Sequence, residues 1–293
     1  MFANINGKNI FFDVDGQSVE VKGEKLIHKP VVFVVHGGPG ANHFSFKPSL
    51  DTLTNDAQLV YIDQRGCGYS EEDHTDHYTL KQNVEDIEAL RQYLGLDKIW
   101  ILGHSYGGMV AMSYGIKYQA HLEGLILATT SPSYQFLEKA KRYVEEHGNA
   151  DQIYHSNKLW EGDFQSEEEV GQYYEALMPL YSVSSTEDVE PPKQPKTKQA
   201  YKVLNKGFGS FLRSFDIRAE LPQIEVPTLI LAGRHDWITL VSENEEIHQR
   251  IPNSTFHVLE NSSHSVFVDE NKLTLSLISE FFSEHSQATL KVN

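Results

Sequence analysis

The chain has 293 residues, with 25 Lys and Arg against 41 Asp and Glu, a formal net charge of −16. At a soft prior of about 150 residues per domain, this length suits one large domain or a core with an inserted one, and it buries enough surface to need no disulfide or metal. The acidic balance speaks against a nucleic acid or an anionic membrane as partner, because both require clustered positive charge. Hydrophobic residues at 40% exclude a disordered chain. The single cysteine, Cys67, excludes an intrachain disulfide and a Cys-based zinc site.

The N-terminus lacks a basic n-region and a long apolar stretch, so a cytoplasmic location without a secretory signal is expected. No apolar run approaches the ~18 residues of a membrane span. Asn6-Gly7 lies between short alternating runs and predicts a tight hairpin turn. Val31 to Val35 is a continuous β-branched run, the pattern of a strand buried on both faces in a parallel sheet. Leu59–Asp63, Lys98–Leu102, Leu122–Ala128 and Thr228–Ala232 have the same character, and Ser254–Leu259 predicts a further strand. Between them, Val84, Ile87, Arg91 and Leu94 are spaced for one helical face, with the Arg91 stem lying along it. Gly107–Tyr118, Glu243–Arg250 and Lys272–Phe282 predict three more helices. Strands alternating with helices imply a mostly parallel α/β sheet with right-handed crossovers.

The alternation stops between about Ser131 and Leu221. Tyr134–Glu146, Glu167–Leu180 and Lys198–Phe215 predict helices, and Pro191-Pro-Lys-Gln-Pro195 predicts a loop between them. An α/β core of residues 1–130 and 222–293, interrupted by a helical cap at 131–221, is the expected organisation. The cap's charge is divided. Glu138 to Glu190 holds 13 acidic and 4 basic residues, whereas Lys193 to Arg218 holds 7 basic and 1 acidic. Solvated helical faces explain this split, and so does a lid with its acidic side toward a site.

Gly103-His-Ser-Tyr-Gly107 fits G-x-S-x-G, directly after one predicted strand and directly before a helix. That context makes Ser105 a nucleophile candidate on a strained elbow. A serine hydroxyl needs a base oriented by an acid, and in this architecture the order is Ser, then Asp or Glu, then His. His264 lies in the polar loop Asn261-Ser-Ser-His-Ser265 before the last helix and is the base candidate. Asp236, just past the Thr228–Ala232 strand, is the acid candidate; His235 and Asp269 are the substitutes. The developing oxyanion requires aimed donors. The Tyr106 N–H is one. Gly38, in His36-Gly-Gly-Pro-Gly40, supplies the other, with Gly37 as the alternative. No phosphate-binding loop, dinucleotide fingerprint or H-E-x-x-H pair is present, and Cys67 is expected to be a packed thiol.

These residues resemble the α/β-hydrolase superfamily over essentially the whole chain. Within it, His36-Gly-Gly-Pro-Gly40 and Asp63-Gln-Arg-Gly-Cys-Gly-Tyr-Ser70 resemble the oxyanion loop and the D-Q-R-G-x-G-x-S signature of the proline iminopeptidase family of serine peptidases. The resemblance implies the hydrolase fold, a helical cap, the triad Ser105, Asp236 and His264, and no cofactor or metal. It also implies a small peptide or amide substrate. The elbow departs from the family's usual G-G-S-W-G at His104 and Tyr106. Some relatives carry a glutamate for the substrate amine where this chain has Trp237; Trp237 and the cap carboxylates Glu161 and Glu175, with Glu167, Glu168 and Glu169 beside them, are the substrate-binding candidates. The Asp63–Arg65 segment is expected to hold its loop by an Arg–carboxylate pair. The function expected is removal of an N-terminal residue through an acyl-enzyme. An esterase, lactonase or aryl-amidase with the same triad, and a small-molecule binding protein on a hydrolase fold, are the alternatives.

Overall fold

The computed structural model describes residues 1–184 and 200–286. Its centre is an eight-stranded sheet. In chain order the strands of the molecule are β1 (Phe2–Ile5), β2 (Lys8–Asp15), β3 (Val19–Lys22), β4 (Lys25–His28), β5 (Val31–Val35), β6 (Gln58–Ile62), β7 (Ile99–His104), β8 (Leu122–Ala128), β9 (Thr228–Gly233) and β10 (Ser254–Leu259). The large sheet runs β1-β2-β6-β5-β7-β8-β9-β10, and β3 pairs with β4 apart from it. β1, β2 and β6 are joined antiparallel, and every other pairing in the large sheet is parallel.

The apolar runs explain this arrangement. Phe33 and Val35 enter the core on one face of β5, while Val32 and Val34 enter the core on the other. β7 repeats this, with Ile99 and Ile101 on one side and Trp100 and Leu102 on the other. A strand covered on both faces needs no polar alternation. The helices are α1 (Leu80–Tyr93), α2 (Tyr106–Tyr118), α3 (Gln135–His147), α4 (Ala150–Glu161), α5 (Glu167–Tyr181), α6 (Tyr201–Gly209), α7 (Val241–Arg250), α8 (Val266–Asp269) and α9 (Asn271–His285). α1, α2 and α7 cover the Phe33 face, and α9 covers the Trp100 face.

The predicted hairpin is present: Asn6 and Gly7 both have positive φ, 47° and 74°, between β1 and β2. The β3–β4 hairpin, α4 and the four-residue α8 went unpredicted. The β3–β4 hairpin alternates Val19 and Val21 with Glu20 and Lys22, but over only four residues, and Val21 and Leu26 stay exposed, so no core burial marks it. α4 buries Gln152 and Ser156 beside Leu159 and Trp160, which blurs its apolar period. Its capping box, Asn149 with Gln152, was the available signal. The helix predicted over Lys198–Phe215 is corrected. Its described part is α6, followed after Ser210 by a short 3-10 turn over Phe211–Ser214. The Pro191–Pro195 loop lies outside the described residues.

The helical excursion between β8 and β9 leaves and rejoins the core at one place. Ser133 and Asp216 form an antiparallel bridge, and the Ile217 N–H donates to the Pro132 carbonyl at 3.0 Å. The chain runs from β5 to β6 on one side, then crosses to β7 on the other. The loops after β5 and β7 therefore part at a topological switch point, where parallel sheets open a crevice.

Candidate active site

Ser105 sits between β7 and α2 with φ 55° and ψ −122°. That is an uncommon conformation for a residue with a side chain. The turn is tight enough to exclude side chains on both flanks. A Cβ on Gly103 would lie 2.3 Å from the Gly107 carbonyl oxygen, and one on Gly107 would lie 2.1 Å from the Val35 carbonyl oxygen. The Ser105 N–H donates to Ala128 at 2.9 Å, and the Thr130 hydroxyl donates to the Ser105 carbonyl at 2.7 Å.

The loop after β5 lies against this elbow. A Cβ on Gly37 would come within 2.9 Å of the Ser105 Cβ. Gly38 has φ 108°, so glycine is required there as well. Tyr106 is the first residue of α2, where backbone N–H groups lack helical partners and the helix dipole favours negative charge.

Asp236 and His264 meet beyond the ends of β9 and β10. The His264 Nδ1 is 2.8 Å from Asp236 Oδ2, and both side chains are buried. Asp236 is fully engaged. Its Oδ1 accepts the N–H groups of Ile238 (2.9 Å) and Thr239 (3.0 Å), and its Oδ2 also accepts the Thr239 hydroxyl at 2.7 Å. Burial alone pushes this carboxyl up, but the His264 ring and these donors outweigh it and hold the group below the ordinary carboxylate range. An ionised acceptor requires the proton on His264 Nδ1 and leaves Nε2 as the free ring nitrogen.

His104 links the elbow to this pair. Its Nε2 donates to the His264 carbonyl at 3.0 Å, and the two rings lie 4.9 Å apart. The Thr129 hydroxyl donates to the same carbonyl at 3.2 Å. Burial first, then the neighbouring His264, pushes His104 down to about 3, so it stays neutral. Thr239 and Thr129 escaped the sequence reading. Thr239 had a signal, because an Asp side chain accepts from the backbone N–H groups two and three positions on, and a hydroxyl at the third can reach the same carboxylate.

A family model described as the alpha/beta hydrolase fold matches residues 30–271. The chain belongs to the α/β-hydrolase fold family. It is 33% identical to a proline iminopeptidase of Saccharolobus solfataricus, over 97% of this chain and 92% of that protein. It is 31% identical to another proline iminopeptidase, from Thermoplasma volcanium, over 85% of this chain and 89% of that one. The crystal structure of a Mycobacterium smegmatis proline iminopeptidase superposes with a TM-score of 0.73 at 20% identity, covering 97% of this chain and 98% of that one.

The remaining candidates of this α/β-hydrolase are dispersed. Trp237 is fully buried between Trp160 of α4 and Tyr181 of α5, at ring distances of 6.2 and 5.3 Å. Its indole N–H has no hydrogen-bond partner among the described residues. The helical carboxylates proposed for the substrate amine lie at exposed or ion-paired positions. Glu161 and Glu175 are exposed, and Glu161 pairs with Arg213 at 3.7 Å. Glu167 and Glu168 are exposed too, and Glu169 pairs with Lys158 at 2.7 Å. Exposed charges of this kind keep their hydration. His235 is exposed. Asp269 accepts the Ser263 and Ser184 N–H groups at 2.9 and 3.1 Å. Cys67 is buried beside Tyr78 and Val203, and burial pushes its thiol up. Arg65 is buried and forks onto Asp86 at 2.9 and 2.8 Å, with Asp73 at 2.6 Å. Asp63 instead accepts from His43, through its backbone N–H at 2.8 Å and its ring Nδ1 at 2.9 Å.

Proposed function

We propose that this chain is a serine hydrolase that removes the N-terminal residue from small peptides or amino-acid amides. Ser105 is its nucleophile, His264 its base and Asp236 the orienting acid. The observation that carries this reading is the buried Asp236–His264 pair, 2.8 Å apart, in a chain with a positive-φ elbow serine. The names of the relatives supply the substrate class. The helical insertion, residues 131–221, serves as a cap over the acyl side.

The Ser105 Oγ adds to the scissile carbonyl carbon while its proton passes to His264 Nε2. The carbonyl electrons move onto oxygen, which the Gly38 and Tyr106 N–H groups receive, with Gly37 as the alternative donor. Asp236 stabilises the imidazolium. Collapse breaks the C–N bond, and the departing nitrogen takes the proton from His264. Water then adds to the Ser105 ester by the same route, releasing the acid and restoring the serine.

A second reading, an esterase, lactonase or aryl-amidase, is favoured by one observation. Among the described residues, Asp236 is the one carboxylate hydrogen-bonded to His264, and Glu161 and Glu175 are exposed. An ester needs no amine partner. Two measurements decide the matter. Ser105→Ala is expected to lower kcat on the order of 10⁶-fold; near-wild-type turnover refutes the triad. N-acetylation of an aminoacyl arylamide is expected to lower kcat/KM by about 100-fold or more if the free amine is recognised. Equal cleavage of both forms rejects the aminopeptidase reading and leaves the second.

A further inference from the structure

A buried polar chain joins the two segments that carry the proposed oxyanion donors, and no step above uses it. His36, Gln64, Asn83 and Tyr106 come from four segments of the chain and are at most 6% exposed. The Gln64 backbone N–H donates to His36 Nε2 at 3.0 Å. A backbone N–H only donates, so Nε2 carries the lone pair and the ring proton sits on Nδ1. That nitrogen donates to the Gly37 carbonyl at 2.9 Å. Burial lowers the ring's affinity for a second proton.

The Gly37 carbonyl and the Gly38 N–H belong to one trans peptide, planar, with the two groups pointing in opposite directions. Holding the carbonyl therefore aims the N–H. Gln64 extends the chain. Its Nε2 donates to the His36 carbonyl at 2.7 Å, and its Oε1 accepts from Asn83 Nδ2 at 2.8 Å. The same Asn83 amide donates to the Tyr106 Oη at 2.9 Å. Tyr106 carries the second proposed donor on its own backbone.

We infer that His36, Gln64, Asn83 and Tyr106 form a positioning unit that sets the Gly38 and Tyr106 N–H groups relative to one another. The inference rests on the serine-hydrolase reading. Buried networks of this kind rigidify when every member is satisfied, and a donor displaced from the oxyanion loses its value.

Tyr106→Phe removes only the hydroxyl, and Asn83→Leu removes both amide donations. For each variant and the double variant, kcat and KM are measured on the best wild-type substrate. Inhibition by an aryl boronic acid, whose serine adduct places an oxygen at the oxyanion position, is measured beside inhibition by the reaction's acid product. Tyr106→Phe is expected to lower kcat about tenfold and to weaken the boronate by a similar factor, with KM and product inhibition within about twofold. Adding Tyr106→Phe to Asn83→Leu is expected to cost little more, because the link is already cut. Wild-type kcat and boronate affinity in Tyr106→Phe overturn the inference. So does a loss shared equally by the boronate and the product, the mark of a general disturbance. If wild type turns over and Ser105→Ala abolishes that turnover, these outcomes reject the positioning unit alone. If Ser105→Ala leaves turnover unchanged, the hydrolase reading itself fails, and the inference with it.

Discussion

The loops at the C-terminal edge of the sheet and the helical insertion above them bury different chemistry. At the sheet edge the buried groups are polar and closely paired: Asp236 accepts four hydrogen bonds, and the His264 carbonyl accepts two. In the insertion the groups around Trp237 are aromatic, buried Trp160 and half-buried Tyr181, while Glu161, Glu167, Glu168 and Glu175 are exposed. The contrast teaches a division of labour. Charge and proton placement belong to the core, where desolvated groups hold one geometry. The insertion supplies apolar shape around Trp237, while Glu161, Glu167, Glu168 and Glu175 keep their charge exposed.

The contrast is sharpest at Asp236. Asp236→Asn keeps the volume but removes the acceptor that places the His264 proton, and kcat is expected to fall on the order of 10⁴-fold while the fold is retained. A loss below about tenfold, read by steady-state kinetics with circular dichroism as control, would show that the pair is structural.

A smaller effect is expected away from the site, at Glu88 of α1. Its carboxylate accepts from Arg91 at 2.9 and 2.6 Å, from the Tyr114 hydroxyl of α2 at 2.7 Å and from Gln92 at 2.7 Å. Burial raises its pKa, but these donors prevail and draw it down to about 2 from an ordinary 4.5. A depressed carboxylate contributes stability that is complete above the unfolded value and is lost as pH falls through the folded one. Glu88→Gln is therefore expected to cost about 1–3 kcal/mol near neutral pH, with the deficit shrinking below pH 4.5 and gone near pH 2. Urea denaturation at several pH values reads this directly. A pH-independent deficit contradicts the assignment.

The smallest effects belong to the insertion's surface. Glu161→Gln and Glu175→Gln are each expected to change kcat/KM for an aminoacyl arylamide by less than about twofold, as exposed charges contribute little. A KM increase of tenfold or more, specific to substrates with a free amine, would erase the division between core and insertion.

Much of this was legible in local sequence. The five-residue run Val31–Val35 announces a strand covered on both faces. The elbow Gly103–Gly107 announces its own sharp turn, because two glycines admit contacts that a Cβ would close. Asp236 and His264 follow from their places after predicted strands. Asn83 had no such signal. It is an ordinary helical asparagine until α1 and α2 bring it between Gln64 and Tyr106. Arg65 shows the same limit. That it needs a carboxylate is written in its residue type, but Asp86 and Asp73 as the partners, and His43 for Asp63, depend on how the loops after β6 and β5 pack.

The sequence by itself determined the parallel core, the interruption by helices and the identity of the nucleophile candidate, because each depends on backbone preferences and apolar period within about ten residues. Tertiary structure alone decided which polar groups meet, that the ends of the insertion close on each other at Ser133 and Asp216, and that Glu161, Glu167, Glu168 and Glu175 are exposed. Those outcomes depend on contacts between residues 19 to 160 positions apart, as in the Gln64–Asn83 and His104–His264 pairs. No local preference encodes them; the packing of both faces of the sheet does.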